Sequence, residues 1–285
     1  MVTVSPEHVL HESLQSVKLP GIQSHKGQNG KLLVIGGSSI FHAASIWAAE
    51  AASRIVDMVH YSSTEENADI MRSLKTKFTD GIVIRQQDLL DYVAEDDCIL
   101  IGPGMERGSV SEEVRNSSLT FKEICALPNE AEYTYALLRF LIQHYPHKRF
   151  VFDAAALQMI EPQWLLNLKT TPIVTPHSAE FEKLFGTNIV QATLDEKRTF
   201  LQGKAKEFNC VILYKQIIDI IAAANSTTVV VGGNAGLTKG GTGDVLAGIT
   251  AALYTKKRCS SLGCSCILLA KKNSRRHVCY LWNVF

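Results

Sequence analysis

Gly240-Gly241-Thr242-Gly243-Asp244-Val245-Leu246-Ala247-Gly248 sets three glycines and an acid directly ahead of an apolar run. Lacking Cβ atoms, the glycines let backbone N–H groups approach an anion closely. The run that follows predicts a helix over residues 241–254. The first turn of such a helix carries partial positive charge and N–H groups with no partner inside the helix. The stretch therefore reads as a phosphate site at a helix start. Asp244 falls in that turn. It either caps the helix, which is worth about 1 kcal/mol, or serves chemistry or a metal, because an acid beside an anion otherwise costs repulsion. The pattern is not the Gly-x-x-x-x-Gly-Lys-Ser/Thr phosphate loop.

Upstream, strands alternate with helices. Residues 31–37 form an apolar run ending in Gly36-Gly37, the pattern of a buried strand opening into a loop. Residues 42–55 are alanine-rich, with Ile46, Ala49, Ala52 and Ile55 at helical spacing. Further strands are expected at 57–62, 81–85, 97–104, 149–153, 172–176 and 210–214, and further helices at 67–75, 130–145, 178–185 and 194–208. Residues 217–223 and 227–231 suggest a hairpin. The alternation predicts one α/β domain with a mostly parallel sheet covered by helices on both faces. Residues 106–129 are the least regular and read as a surface excursion.

In such a sheet, ligands sit beyond the carboxyl ends of the strands. Gly36-Gly37, Gly102-Pro103-Gly104, Asp153, His177 and Lys215 all fall there. Each alone has an ordinary reading. Asp153 would cap the next helix, and Lys215 would be solvated at a strand end. His177 would bond its own backbone, Gly102 to Gly104 would form a tight turn, and Ala44 would be a packed helix alanine. Their shared placement is the informative feature.

Composition narrows the class. Of the 285 residues, 46% are hydrophobic, enough for a sizeable core, and the net charge of +1 gives no field pointing to nucleic acid or membrane. No run of 18 apolar residues occurs, and the first residues lack the basic-then-apolar pattern of a signal peptide. Seven cysteines without a regular framework read as free thiols in a reducing cytosol, so a cytoplasmic protein is expected.

The glycine stretch resembles the signature of the ribokinase-like superfamily, and more narrowly that of the ADP/ATP-dependent NAD(P)H-hydrate dehydratases. Other segments match that family in order: Asn29-Gly30-Lys31 to Gly37-Ser38, Ile101-Gly102-Pro103-Gly104, Phe152-Asp153-Ala154, Thr175-Pro176-His177 with Glu180, and Asn234-Ala235-Gly236. The resemblance spans about residues 20–255. It implies a three-layer α/β/α sandwich over residues 20–256, preceded by an extension at 1–19 and followed by an atypical tail at 257–285. It also implies nucleotide-driven removal of water from hydrated NADH or NADPH, with Mg2+ as companion, ADP or ATP as co-substrate, and AMP or ADP plus phosphate as products. Carried over residue by residue, it implies that Asp244 is the base and that Ala44, Gly104, His177 and Asp244 meet the hydrated cofactor. The nucleotide would lie along Lys215, Gln216, Ile217, Ile218 and Asp219 and against Gly241, Thr242 and Gly243. A homo-oligomer is expected, and the epimerase that accompanies this family would be a separate chain.

Three departures touch the expected site. Ala43-Ala44-Ser45 stands where the family has Gly-Ala-Pro, so added volume could crowd the substrate. Lys215-Gln216 replaces Lys-Gly; if that glycine takes positive φ, Gln216 costs about 1 kcal/mol. Ser178-Ala179 replaces a pair ending in glycine. The tail is basic and cysteine-rich, with no acid after Asp244, and its Cys259, Cys264 and Cys266 do not follow a standard zinc spacing. A small-molecule kinase of the same superfamily, or a nucleotide-binding homologue that has lost catalysis, are the alternatives.

Overall fold

The computed structural model describes residues 20–232 and 235–256. The extension at 1–19, Asn234 and the tail at 257–285 lie outside the described residues.

Nine strands form one sheet: β1 (Lys31–Ile35), β2 (Met58–Ser62), β3 (Ile82–Val83), β4 (Cys98–Ile101), β5 (Arg149–Phe152), β6 (Ile173–Val174), β7 (Val211–Tyr214), β8 (Asp219–Ala223) and β9 (Ser226–Val230). Their order is β3-β2-β1-β4-β5-β6-β7-β8-β9. The first seven run parallel, and β7, β8 and β9 pair antiparallel as the expected hairpin edge. Val, Ile, Leu and Phe fill β1, β4 and β5 because helices cover both faces and leave no polar side. From β1 the chain winds outward to β2 and β3, then returns to β4 on the other side of β1. That reversal opens a crevice at the carboxyl ends of β1 and β4.

One face is closed by α1 (Ala43–Ser53) and the last described helix, α10 (Thr242–Lys256). Small residues let them approach closely: a Cβ on Gly248 would strike the carbonyl of Ala48. Ala48, Ala49, Ala52, Ala247, Ala251 and Ala252 are all fully buried beside Leu32, Val34 and Leu100. The other face holds α6 (Glu130–His144), α7 (Ala155–Met159), α8 (Ser178–Phe185) and α9 (Leu194–Glu207) over Leu33, Ile99, Phe150 and Phe152. Side chains of that size each contribute about 1.5–3 kcal/mol when fully buried. Local chemistry sets the helix starts. Asn129 Oδ1 accepts the N–H groups of Ala131 and Glu132, and Thr193 and Glu196 form a reciprocal cap on α9.

Short elements escaped the sequence reading. Helix α2 (Glu65–Ser73) was expected, but α3 (Leu89–Glu95) was not. The segment 106–129 is more than an excursion. It contains α4 (Glu112–Asn116) and α5 (Phe121–Cys125), pinned by buried Val114 and Ile124 and by a Thr120–Glu123 capping box. Among the described residues, no helix is long and apolar enough to cross a membrane.

Candidate active site

The loops at the carboxyl ends of the strands are joined to one another. Gly37 donates its N–H to Pro103 O (2.8 Å), and Gly102 donates to Ile35 O (3.1 Å). Gly104 takes φ +71°, and a Cβ there would sit 3.2 Å from the Ala44 methyl, so the two expected substrate residues face each other in the crevice. Next to Ala44, Ser45 is buried and shares a 2.8 Å hydrogen bond with the Tyr61 hydroxyl. One turn further along α1, the Trp47 ring lies under the glycine loop, where a Cβ on Gly241 (φ +94°) would clash with it. A single helix thus supports both the Ala44–Gly104 corner and the candidate phosphate loop.

The helix of that loop begins at Thr242, with Asp244 in its first turn. The Thr242 hydroxyl donates to Leu237 O (2.8 Å) and to Lys239 O (3.0 Å), which ties the loop to its own approach. The Gly243 position lies against Lys215: a Cβ there would be 3.7 Å from Nζ.

Lys215 is the centre of the charge cluster. It follows β7, and its N–H donates to Pro176 O (2.9 Å) in a bridge that aligns it with His177. Its Nζ lies 2.7 Å from Asp153 Oδ1 and 3.8 Å from Glu180 Oε2. Burial pulls the ammonium pKa down, but the carboxylates of Asp153, Glu180 and Asp244 outweigh that and raise it. Lys215 is therefore paired and largely buried rather than solvated.

Asp153 does not cap the helix after it. Its Oδ1 accepts both the Lys215 ammonium and the Thr175 hydroxyl (2.6 Å), and the N-cap of α7 is Ala154, with no side-chain bond. The pull of a buried cation outweighs an N-cap bond here. Ala154 takes φ 49°, ψ −120°, a conformation that favours glycine and costs of order 1–3 kcal/mol in alanine. It turns the chain sharply between the strand and α7.

Two carboxyls in the cluster resist ionisation. Burial raises Asp244 to about 7, with the Asp153 charge adding to the shift and Lys215 opposing it. Burial also raises Glu180, against the pull of Lys215. His177 caps α8: its Nδ1 accepts the N–H groups of Ala179 (3.1 Å) and Glu180 (3.3 Å), while Glu180 Oε2 accepts the His177 N–H (2.9 Å). Burial and the Lys215 charge lower the imidazole pKa, with Asp153 opposing them.

The nucleotide stretch divides. Asp219 is buried, and its Oδ1 accepts the Gln216 N–H (2.8 Å), closing the turn between β7 and β8. Ile217 is 92% exposed and Ile218 is 38% exposed. The backbone cost considered for Gln216 does not arise, because among the described residues the positive-φ non-glycine ones are Ala154 and Asn209. No cluster of three or more metal-ligating side chains occurs among the described residues. Sequence reading passed over the Thr175–Asp153–Lys215 chain, whose partners lie far apart in sequence. Glu180 had a usable signal, an acid three residues after a capping position.

A sequence profile of the NAD(P)H-hydrate dehydratase family matches residues 32–276. The chain belongs to the NAD(P)H-hydrate dehydratase family. It is 33% identical over 242 residues to an ADP-dependent (S)-NAD(P)H-hydrate dehydratase of Nitrosopumilus maritimus, a match covering 83% of this chain and 76% of that protein. It is 32% identical over 251 residues to a bifunctional NAD(P)H-hydrate repair enzyme of Methanocaldococcus jannaschii, where the match covers 85% of this chain but only 42% of the relative. Solved structures confirm a ribokinase-like fold. A ribokinase-like superfamily protein from Enterococcus faecalis superposes with a TM-score of 0.74 at 21% identity, covering 96% of this chain and 87% of that one. The ADP/ATP-dependent NAD(P)H-hydrate dehydratase of Bacillus subtilis, co-crystallised with ATP and Mg2+, gives 0.70 at 20% identity, covering 96% and 88%. In this member of the NAD(P)H-hydrate dehydratase family, Gly36-Gly37, Gly102 to Gly104, Asp153, His177 and the glycine loop lie around the crevice just described, whereas Asn29-Gly30-Lys31 lies at the opposite, amino end of β1 and Asn234 lies outside the described residues.

Proposed function

We propose that this chain removes water from hydrated NADH or NADPH at the expense of ADP or ATP, returning the reduced nicotinamide cofactor to use. The observation that carries the mechanism is a protonatable carboxyl, Asp244 near 7, in the first turn of a glycine-led helix. Hydroxide is a poor leaving group, so the ring hydroxyl has to be converted into a better one. Asp244 takes the hydroxyl proton as the oxygen attacks the terminal phosphoryl of the nucleotide. The terminal phosphoanhydride bond breaks, AMP or ADP departs, and the ring carries a phosphate ester. Loss of that phosphate, with loss of a proton from the ring, restores the double bond.

Backbone N–H groups of Gly241 to Gly243 receive the phosphoryl oxygens, and Lys215 adds positive charge beside Gly243. Ala44 and Gly104 leave room for the hydrated ring, and Ile217 and Ile218 offer an apolar face to the base of the nucleotide. The site suits a Mg2+ ion that arrives on the phosphates, since Mg2+ keeps its water and is held by phosphate oxygens rather than by a protein cage. Such an ion supplies charge neutralisation. The buried Cys98 and half-buried Cys125, neither of them in a disulfide, fit a reducing cytosol. A homo-oligomer and a separate epimerase partner belong to the same proposal.

The test is an absorbance assay. Hydrated NADH, Mg2+ and either ADP or ATP are incubated with the chain, and the return of NADH absorbance is followed. Recovery that depends on nucleotide is the expected outcome, and running both donors separates ADP from ATP. ATP consumption only with an unrelated small alcohol would make the chain a kinase instead.

A further inference from the structure

Helix α1 starts without a cap of its own. Elsewhere the side chains of Asn129, His177 and Thr193 accept the first N–H groups of α6, α8 and α9. His42, at the N-cap of α1, makes no such bond, and the first turn holds no acid. Yet that turn carries Ala44, whose methyl faces Gly104 across the crevice. It is held from outside instead. The Ser45 hydroxyl shares its 2.8 Å bond with the Tyr61 hydroxyl of β2. His42 Nδ1 lies 2.9 Å from Oδ1 of Asn67, on α2. Asn67 Nδ2 donates to Ser38 O (2.7 Å), which leaves Oδ1 to accept, so the imidazole is the donor. Asn67 thereby ties down both ends of the loop from Ser38 to His42, and the Phe41 N–H closes it on Ser38 Oγ (3.0 Å).

Ser45, Tyr61 and Asn67 are fully buried, so they act on a ligand only through the backbone they hold. Packing limits the turn on one side: a Cβ on Gly36 would meet the Ser45 Cβ at 2.8 Å, so α1 has no room to slide onto the end of β1. The bonds to Tyr61 and Asn67 limit it on the other. A proline at position 45, as in the family pattern, would fix its own φ through its ring. Serine leaves that rotation free, and its bond to Tyr61 supplies the constraint from the side chain. We infer that Tyr61 and Asn67 are positioning residues: by clamping the uncapped start of α1, they set the gap between Ala44 and Gly104 into which the hydrated ring fits. The inference rests on the proposed dehydratase reading for the identity of that ligand. Trp47 supports Gly241 one turn further along α1, beyond the clamped turn, so the phosphate loop keeps its floor when the clamp is released.

Tyr61→Phe removes one hydroxyl and leaves Ser45 buried without a partner, so the melting temperature should fall. Tyr61→Phe combined with Ser45→Ala removes both partners and should recover most of that loss. The double variant therefore isolates positioning from stability. Its KM for hydrated NADH should be raised roughly tenfold, the factor that corresponds to about 1.4 kcal/mol, while its KM for ADP or ATP stays at the wild-type value. Asn67→Ala should show the same split. A double variant with wild-type KM for hydrated NADH, or with both KM values raised alike, would overturn the inference, because either result makes the clamp a matter of fold alone. Hydrogen exchange tests the clamp with no ligand present. The amides of Ile46 and Trp47 are the first to bond back into the starting turn of α1, and in the double variant they should exchange about tenfold faster. Unchanged exchange would sink the inference even if the dehydratase assay succeeds. Faster exchange in a chain that shows no dehydratase turnover would leave the clamp standing and remove only the ligand, so the two failures are distinguishable.

Discussion

His60, Asp96 and Lys148 make a closed charge cluster under the first strands, whereas Asp153, Glu180, Lys215 and Asp244 make an open one at the carboxyl edge of the sheet. In the closed cluster, His60 Nδ1 lies 2.9 and 2.8 Å from the two Asp96 oxygens, and the side chains are 2% and 0% exposed. Lys148 donates to the carbonyls of Ala94 (2.6 Å) and Asp96 (2.8 Å), and the Tyr92 ring packs on His60 at 4.5 Å. Each polar side chain there has its hydrogen-bond partner within the fold. In the open cluster, one ammonium serves three carboxyls, with Asp244 held near 7. The difference is instructive because both clusters contain buried ionisable groups. Balanced and sealed charge serves the fold. Unbalanced charge opening on a crevice is held short of neutral, and a polyphosphate or a proton transfer can complete it.

The comparison breaks first at Asp244. Asp244→Asn keeps the shape of the side chain and removes its ability to take a proton. Turnover in the hydrated-NADH assay should fall roughly 10³-fold, the scale of a lost general base. Nucleotide affinity measured by calorimetry should stay within about threefold, because the backbone amides are untouched. Retained turnover would strip the open cluster of its catalytic meaning.

Asp96→Asn asks the opposite question. It leaves His60 without its carboxylate in a sealed environment, while the backbone carbonyls that hold Lys148 stay in place. Denaturant unfolding should show a loss of about 3 kcal/mol, the lower end for breaking a buried pair. KM and kcat should not change at a temperature where the chain is folded. A selective loss of activity would mean that the two clusters communicate and that the division into fold and function is false.

Only the open side of this contrast was legible in the sequence, and that unevenly; nothing in the reading marked His60, Asp96 or Lys148. The glycine loop, Asp244, the Gly102-Pro103-Gly104 turn and His177 were readable because each is a short local pattern. The long helices were readable because apolar residues recur over several turns. Helix α3 has seven residues, too few for a period to declare itself. The pairing of Asp153 with Lys215 crosses 62 residues, so a local rule assigned Asp153 to the nearest helix instead. Ala154 at φ 49° was unreadable for another reason: alanine signals a helix, and only the sheet around it forces the glycine-like turn. Trp47 likewise looks like one more apolar residue on α1, and its place beneath Gly241 comes from tertiary packing.

The smallest effect sharpens the comparison through pH. Asp244 must be ionised to accept a proton, so kcat/KM should rise with pH, levelling off above about 7. Stability should move the other way. The Asp244 carboxyl has a folded pKa near 7, above its ordinary value of 3.8, so the folded state prefers it protonated. The stabilisation this gives is complete below the unfolded pKa and is lost as pH rises through about 7. Glu180, also raised by burial, acts in the same sense. His177, lowered by burial, acts in the opposite sense and removes stability as pH falls through its unfolded pKa and below. Asp244 is partly exposed, so its share between about pH 6 and about pH 8 should be near 1 kcal/mol once solvent screening is allowed for. That amounts to a melting-temperature fall of about 2–4 °C. Asp244→Asn should flatten this slope, and Asp96→Asn should leave it in place. A slope that survives in Asp244→Asn would show that it belongs to Glu180, and that the proposed base is no more than a bystander in the open cluster.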